Sequence, residues 1–275
     1  RRLIQLCAAL LYNLNLKGFA EASIYKGKSK GLCVPGLNCY SCPGAVGSCP
    51  LGTLQNALSA MDRKLPFYIL GVLLLFGVTM GRTICGFLCP FGLVQELLYK
   101  IPVPKIKKNR VTQELSKVKY VILAVFVVIL PVVFKAASGL PVPAFCKYIC
   151  PAGTLEGGIP LVLLDDSLSG LAGALFHWKV LVLAVILVSA CFLYRSFCRI
   201  LCPLGAIYSL FAPVALLGVR IDRDTCVDCG RCVRTCKMDV RQVGDRECIQ
   251  CGECMKECNV DAIYWKKPWD VKSKR

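Results

Sequence analysis

Four times in 275 residues the string Cys-Pro-x-Gly recurs, at Cys49, Cys89, Cys150 and Cys202, each copy between an apolar run and a second, weaker apolar stretch. Three copies carry another cysteine four residues earlier, at Cys85, Cys146 and Cys198. The first copy has Ala45 at that place and offers Cys33, Cys39 and Cys42 nearby instead. The second and fourth copies agree furthest, down to Arg82 and Arg195 three residues ahead of the first cysteine. Such repetition implies a repeated architecture in which apolar run, cysteine motif and short helix form one unit.

The spacing has a chemical reading. Cysteines at i and i+4 share a helical face, so both sulfurs can reach one object. Proline directly after the second cysteine disfavours helix at that cysteine and pre-sets the first turn of the next helix. Each motif is thus a corner bearing two thiols, and two corners brought together supply the four thiolates of a [4Fe-4S] cluster. Zinc accepts the same donors, and buried free thiols are the plainer alternative.

Near the C-terminus the pattern is stronger. Cys226, Cys229, Cys232 and Cys236, then Cys248, Cys251, Cys254 and Cys258, each follow C-x2-C-x2-C-x3-C, the bacterial two-cluster ferredoxin spacing. Ligation in that pattern crosses over. Cys226, Cys229, Cys232 and Cys258 are expected to hold one [4Fe-4S] cluster, and Cys248, Cys251, Cys254 and Cys236 the other. The proline usual after each fourth cysteine is replaced by Lys237 and Asn259. This stretch is short and polar, so its folding is expected to depend on its clusters.

The chain is 56% hydrophobic, with a mean hydropathy of +0.58, which points to a membrane protein. Its 20 cysteines suit metal centres in that setting better than the disulfide framework of a small secreted domain. The net charge of +17 fits retained cytoplasmic Lys and Arg and does not require nucleic acid. Candidate spans cover residues 3–19, 65–79, 120–134 and 178–194. Helices of those lengths reach only roughly 22–26 Å, short of a hydrocarbon core, so the stretches at 51–61, 91–101, 152–164 and 204–219 are expected to fold back as re-entrant half-helices.

The expected fold is therefore an all-α polytopic membrane domain at 1–219, with four short transmembrane helices, half-helices and an internal repeat. An α+β two-cluster ferredoxin domain at 220–265 and a basic tail at 266–275 follow. Arg1, Arg2, the stretch KIPVPKIKKNR, Lys117 and Lys119 place both termini in the cytoplasm, although Lys26, Lys28, Lys30, Arg63 and Lys64 then lie outside against the trend. On this topology Cys85, Cys89, Cys198 and Cys202 meet on the inner side. Cys146 and Cys150 on the outer side either join two of Cys33, Cys39, Cys42 and Cys49 or leave that group to bind alone, so the membrane part holds one or two further clusters. Arg82 and Arg195 stand where they would offset the negative charge of the inner centre, or else snorkel to the interface.

Taken together, the four candidate spans, the pairs Cys85/Cys89 and Cys198/Cys202 and the C-terminal double-cluster pattern resemble the NapH and NosR group of membrane-bound iron–sulfur proteins, over almost the whole chain. The resemblance implies a multi-pass protein of a bacterial or archaeal cytoplasmic membrane. Such a protein passes electrons between a quinone pool or cytoplasmic donor and a redox partner subunit across the membrane. Cys146/Cys150 and the cysteines from Cys33 to Cys49 go beyond that pattern and suggest a transmembrane conduit. Quinol dehydrogenation, with a quinone bound in the membrane part, and redox sensing are the alternatives.

Other residues carry less. Cys7 and Cys191 lie within apolar runs without partners at ligand spacing. His177 is the single histidine, which argues against haem held by two histidines of this chain, and it sits beside Trp178 where an interfacial role suffices. Asp165 and Asp166 end the third half-helix as solvated loop residues or as proton acceptors from a quinol. No catalytic side-chain constellation and no phosphate-binding glycine loop is present.

Overall fold

The computed structural model describes residues 1–59, 66–106, 108–165, 167, 170 and 172–266. Arg63, Lys64, Lys107, Asp166 and the tail beyond 266 lie outside the described residues.

The first apolar run forms two helices, α1 (Arg2–Tyr12) and α2 (Lys17–Ala20). Asparagines cause the break. The Asn13 amide turns back to the Ala9 carbonyl at 2.9 Å and meets Asn38 Oδ1 at 2.9 Å, while Asn15 donates to the Pro43 carbonyl at 2.9 Å. Asparagine side chains offer the backbone such alternatives to helix. At 11 residues, α1 is about 17 Å long.

The last three repeats share one design. After α3 (Pro50–Ser59) comes α4 (Phe67–Thr79), followed by the short α5 (Thr83–Phe87) and α6 (Pro90–Leu98). The third unit is a long helix, α7 (Arg110–Ser138), then α8 (Ala144–Tyr148) and α9 (Gly153–Leu164). The fourth is α10 (Ala174–Phe192), α11 (Ser196–Ile200) and α12 (Pro203–Phe211). Cys89 and Cys202, each directly before a Pro, are the extended residues that start the next helix, with ψ 115° and ψ 109°. Proline at the first helical position costs no hydrogen bond there.

Two helices, α7 with 29 residues and α10 with 19, are long and apolar enough to cross a membrane; α1, α4 and α9 are shorter apolar helices. The length of α7 exceeds the apolar run at 120–134 because it is capped beyond both ends. Asn109 and Thr112 form a capping box, and Gly139 closes the helix with φ +71°. Apolar side chains face outward along both long helices, among them Val121, Val128, Val133, Leu181, Val185 and Val188.

The helix after Cys202 stops earlier than its hydropathy suggests. Beyond Phe211 and Pro213 the chain becomes strand β1 (Gly218–Ile221), which pairs antiparallel with β2 (Ile263–Lys266), Val219 opposite Trp265. These strands close the C-terminal cysteine-rich segment, whose helix α13 (Arg231–Thr235) and 3-10 turn (Glu253–Glu257) each follow a left-handed glycine, Gly230 or Gly252.

That segment is seated on the helical body by buried ion pairs. Lys119 Nζ meets both oxygens of Glu247, and Arg82 Nη1 donates to Glu247 at 3.0 Å and to the Arg246 carbonyl at 2.7 Å. Arg199 pairs with Asp239, which also accepts from Thr112 Oγ1 at 2.9 Å. Lys119, counted above among the charges that set orientation, has a fully buried side chain and serves as this anchor. At Gly86 the two parts approach so closely that a Cβ would stand 2.4 Å from the Ile249 carbonyl oxygen.

Candidate metal centres

The C-terminal cysteines surround two cavities. Cys226, Cys229, Cys232 and Cys258 line one of about 510 Å³. Cys236, Cys248, Cys251 and Cys254 line a second, much smaller one, closed by Tyr194, Met238 and Ile249. The crossed grouping thus exists in space. Its local cause is matched backbone: Asp228 and Gly230 have φ +48° and +67°, and their counterparts Gln250 and Gly252 have φ +55° and +74°. Each loop therefore curls around its cavity in the same way. Burial pushes the Cys236 thiol up to about 11 and the Cys254 thiol up to about 12. Thiolates at these places need cationic partners.

In the helical body the repeats meet in alternate pairs. Cys85, Cys89, Cys198 and Cys202, from the second and fourth motifs, lie within electrostatic range of one another. Arg82 and Arg195, both fully buried, face this group. Burial removes the snorkelling alternative for both. Arg195 is held with φ +52°, its guanidinium bonded to Glu96 and to the Cys85 carbonyl. Glu96 also takes Arg1 at 2.8 Å and the Tyr194 hydroxyl at 2.9 Å. Arg82 leaves Nε and Nη2 buried without hydrogen-bond partners, and Nη2 lies 3.7 Å from where a Cβ of Gly205 would stand, beside Cys202. Orphaned cationic donors beside four thiols fit an anionic group at that place.

The first and third motifs meet likewise. Cys39, Cys49, Cys146 and Cys150 line a cavity of about 510 Å³, with Lys179 at its wall. Cys33 and Cys42 do not line it. Cys33 Sγ lies 3.5 Å from Thr53 Oγ1, and Cys42 Sγ lies 3.5 Å from Asn13 Oδ1. The structure therefore brings together one of the quartets left open by spacing, with Cys39 standing in for the cysteine missing at Ala45.

The Cys-Pro-x-Gly string has a structural account. The amide of Gly205 donates to Cys202 Sγ at 3.3 Å, and that of Gly153 to Cys150 Sγ at 3.4 Å. Each glycine also faces the partner motif: a Cβ at Gly52 would lie 3.9 Å from Cys146 Sγ, at Gly153 3.6 Å from Cys39 Sγ, and at Gly92 3.3 Å from the Arg195 guanidinium. The glycines keep the space between paired corners clear.

Sequence reasoning missed the residue six places after each Cys-Pro cysteine: Gln55, Gln95, Glu156 and Tyr208. Three of them reach the partner repeat, and Tyr208 reaches the loop that precedes the first motif. Gln55 meets Cys146, Gln95 meets Cys198, Glu156 accepts from the Cys39 amide at 2.7 Å, and Tyr208 donates to the Pro35 carbonyl at 2.9 Å. Extending the four strings beyond glycine reveals a residue with a polar side chain at the same register in each helix. Of the remaining candidates, Cys7 is exposed, Cys191 Sγ lies 3.5 Å from the Leu187 carbonyl, and His177 bonds the Gly173 carbonyl at 3.1 Å.

Donor chemistry separates iron clusters from zinc. A zinc ion draws its thiolates in with bonds of about 2.3 Å. Among the described residues, no three Cys, His, Asp or Glu side chains converge closely enough for a single metal ion. Three of the four quartets line cavities, which suits a group with its own volume.

Comparison with known proteins agrees. The sequence model of the 4Fe-4S binding domain family matches residues 48–68, 65–109, 120–159 and 174–221, together more than half of the chain. An uncharacterized protein of Methanocaldococcus jannaschii is 30% identical over 62% of this chain and 64% of its own length. YccM of Escherichia coli, named for electron transport, is 23% identical over 70% of this chain and 54% of its own. The methylamine utilization ferredoxin-type protein MauN of Paracoccus denitrificans is 26% identical over 70% and 62%. The chain spans about half to two thirds of the length of these relatives. No solved structure matches it. The chain belongs to the 4Fe-4S binding domain family.

Proposed function

We propose that this protein is a membrane-embedded electron conduit of the NapH/NosR type with four [4Fe-4S] centres, two in the C-terminal segment and two in the helical body. The observation that carries this reading is the continuity of the body centres. Cys49, Cys89, Cys150, Cys198 and Cys202 belong to one buried core, and Tyr208 lies within electrostatic range of Cys49 as well as of Cys85, Cys89 and Cys202. Cys85, a ligand candidate of the inner group, packs against the apolar cluster that holds Cys248 and Ile249. A [4Fe-4S] cluster, when bound, supplies a carrier that gains and loses one electron.

The chain's own residues do the rest. Cys226, Cys229, Cys232 and Cys258 would hold the outermost C-terminal centre, and Cys236, Cys248, Cys251 and Cys254 the one against the body. Cys85, Cys89, Cys198 and Cys202 would hold the inner body centre, and Cys39, Cys49, Cys146 and Cys150 the outer. Arg82 and Arg195 balance negative charge away from water, and Leu37, Phe91 and Tyr208 exclude solvent between the body centres. The exposed apolar faces of α7 and α10 suit lipid, with re-entrant helices completing four crossings. Arg1 bonds Glu253 at 3.2 Å, and Lys108 reaches the carbonyls of Val233 and Cys236, which supports placing these residues and the C-terminal segment on one side, the cytoplasmic face. Partners would be a cytoplasmic donor at the C-terminal segment and an extracytoplasmic flavin or haem protein near Cys39 and Cys146.

A second reading, quinol oxidation in the body, is favoured by an apolar groove of about 340 Å³ beside Ser189, Ser196 and Phe197. Sealed vesicles containing the purified chain and a trapped acceptor dye separate the two. The conduit reduces trapped dye when a membrane-impermeant reductant is added outside, without any quinone. No reduction unless quinol is supplied would refute it.

A further inference from the structure

The paired glutamines do more than fill space. Gln95 and Gln55 are fully buried and bonded alike, although they belong to different centres. Gln95 Oε1 accepts the Phe197 amide at 3.1 Å, and its Nε2 reaches the Phe91 carbonyl at 3.3 Å and Cys198 Sγ at 3.1 Å. Gln55 Oε1 accepts the Phe145 amide at 2.9 Å, and its Nε2 reaches the Leu51 carbonyl at 3.3 Å and Cys146 Sγ at 3.3 Å. A backbone N–H can be accepted only by the amide oxygen, so the NH2 must face the sulfur in both cases. Each amide thus has one hydrogen on its own helix and one aimed at the first cysteine of the partner motif.

We infer that Gln95 and Gln55 are matched positioning residues that donate to the Cys198 and Cys146 thiolates and hold up the reduction potentials of the inner and outer body centres. This rests on the assignment of those two centres above. A donor on a cluster sulfur favours the more negative, reduced form, and hydrogen bonds to the sulfurs are among the determinants of potential. The second cysteines of the same two motifs, Cys202 and Cys150, take backbone amides from Gly205 and Gly153, which substitution of a side chain leaves in place. The glutamines are therefore the adjustable donors.

The test is an anaerobic potentiometric titration of the purified full chain, followed by paramagnetic resonance, with iron counted on every sample. Gln95→Leu is expected to keep its iron and to shift one body centre towards the oxidised form by about tenfold, about 59 mV for a one-electron couple. Gln55→Leu is expected to shift the other centre by a similar amount and leave the first unmoved. Gln95→Glu retains an acceptor for the Phe197 amide while replacing the donor by a charge, and is expected to shift the inner centre further in the same direction. Full iron with unmoved potentials overturns the inference, and so does loss of iron from both Gln95 variants, which would make the amide a strut. Wild-type protein lacking the body signals altogether would instead overturn the assignment of the centres.

Discussion

Replacing Glu247 by Gln removes the one carboxylate that holds two buried cations at the seam between the helical body and the C-terminal segment. Arg82 and Lys119 have fully buried side chains, and Glu247 is 13% exposed. Breaking one partner out of a buried ion pair costs roughly 3–5 kcal/mol, because the remaining charge is left unpaired. At 1.4 kcal/mol per tenfold, local detachment of the segment becomes about a hundredfold to several thousandfold more frequent. Hydrogen–deuterium exchange on the detergent-solubilised, anaerobic protein reads this directly. The amides of Leu216 and Leu217, bonded to the Val78 and Thr79 carbonyls at 2.9 Å, tie the connecting stretch to α4 and should lose protection. Glu253→Gln is the control. Its carboxylate is 47% exposed and meets Arg1 at 3.2 Å, a pair worth about 0–1 kcal/mol, so protection should barely change. Equal protection in Glu247→Gln and wild type would refute the reasoning, as would an equal loss in the control.

Gly52→Ala distinguishes a filled outer cavity from an empty one. The protein itself offers no contact nearer than 3.9 Å to the new methyl, so an empty cavity predicts a gain of about 0.5–1 kcal/mol from better helix propensity. A filled one predicts loss of about four iron atoms per chain on metal analysis. Cys39→Ala should likewise remove about four iron atoms, whereas Cys33→Ala and Cys42→Ala should remove none; the reverse pattern would reassign the quartet.

Much of this site is legible in the sequence where ligands are local. The crossed C-terminal quartets follow from short spacings that the left-handed residues at 228, 230, 250 and 252 simply execute. The pairing of the second and fourth motifs is legible because both carry arginine at the same register. The choice of Cys39 over Cys33 and Cys42 is not, since it depends on how the loop from Cys33 to Cys49 folds against Cys89 and Tyr208. Hydropathy also misjudges elements governed by single polar residues. Asn13 and Asn15 break the first run, Asn109 extends α7 backwards, and the stretch after Pro213 becomes an edge of a two-stranded sheet. Lys119 shows the same limit for charge, because composition counts a lysine without revealing that Glu247 waits across the fold.

The most direct test of the account is iron quantified per chain on anaerobically purified protein, with spin-counted paramagnetic resonance after stepwise reduction. Four occupied quartets predict about sixteen iron atoms and four separate cluster signals. About eight iron atoms, all assignable to the C-terminal segment, would show that the sulfurs of the helical body hold no cluster and would contradict the conduit.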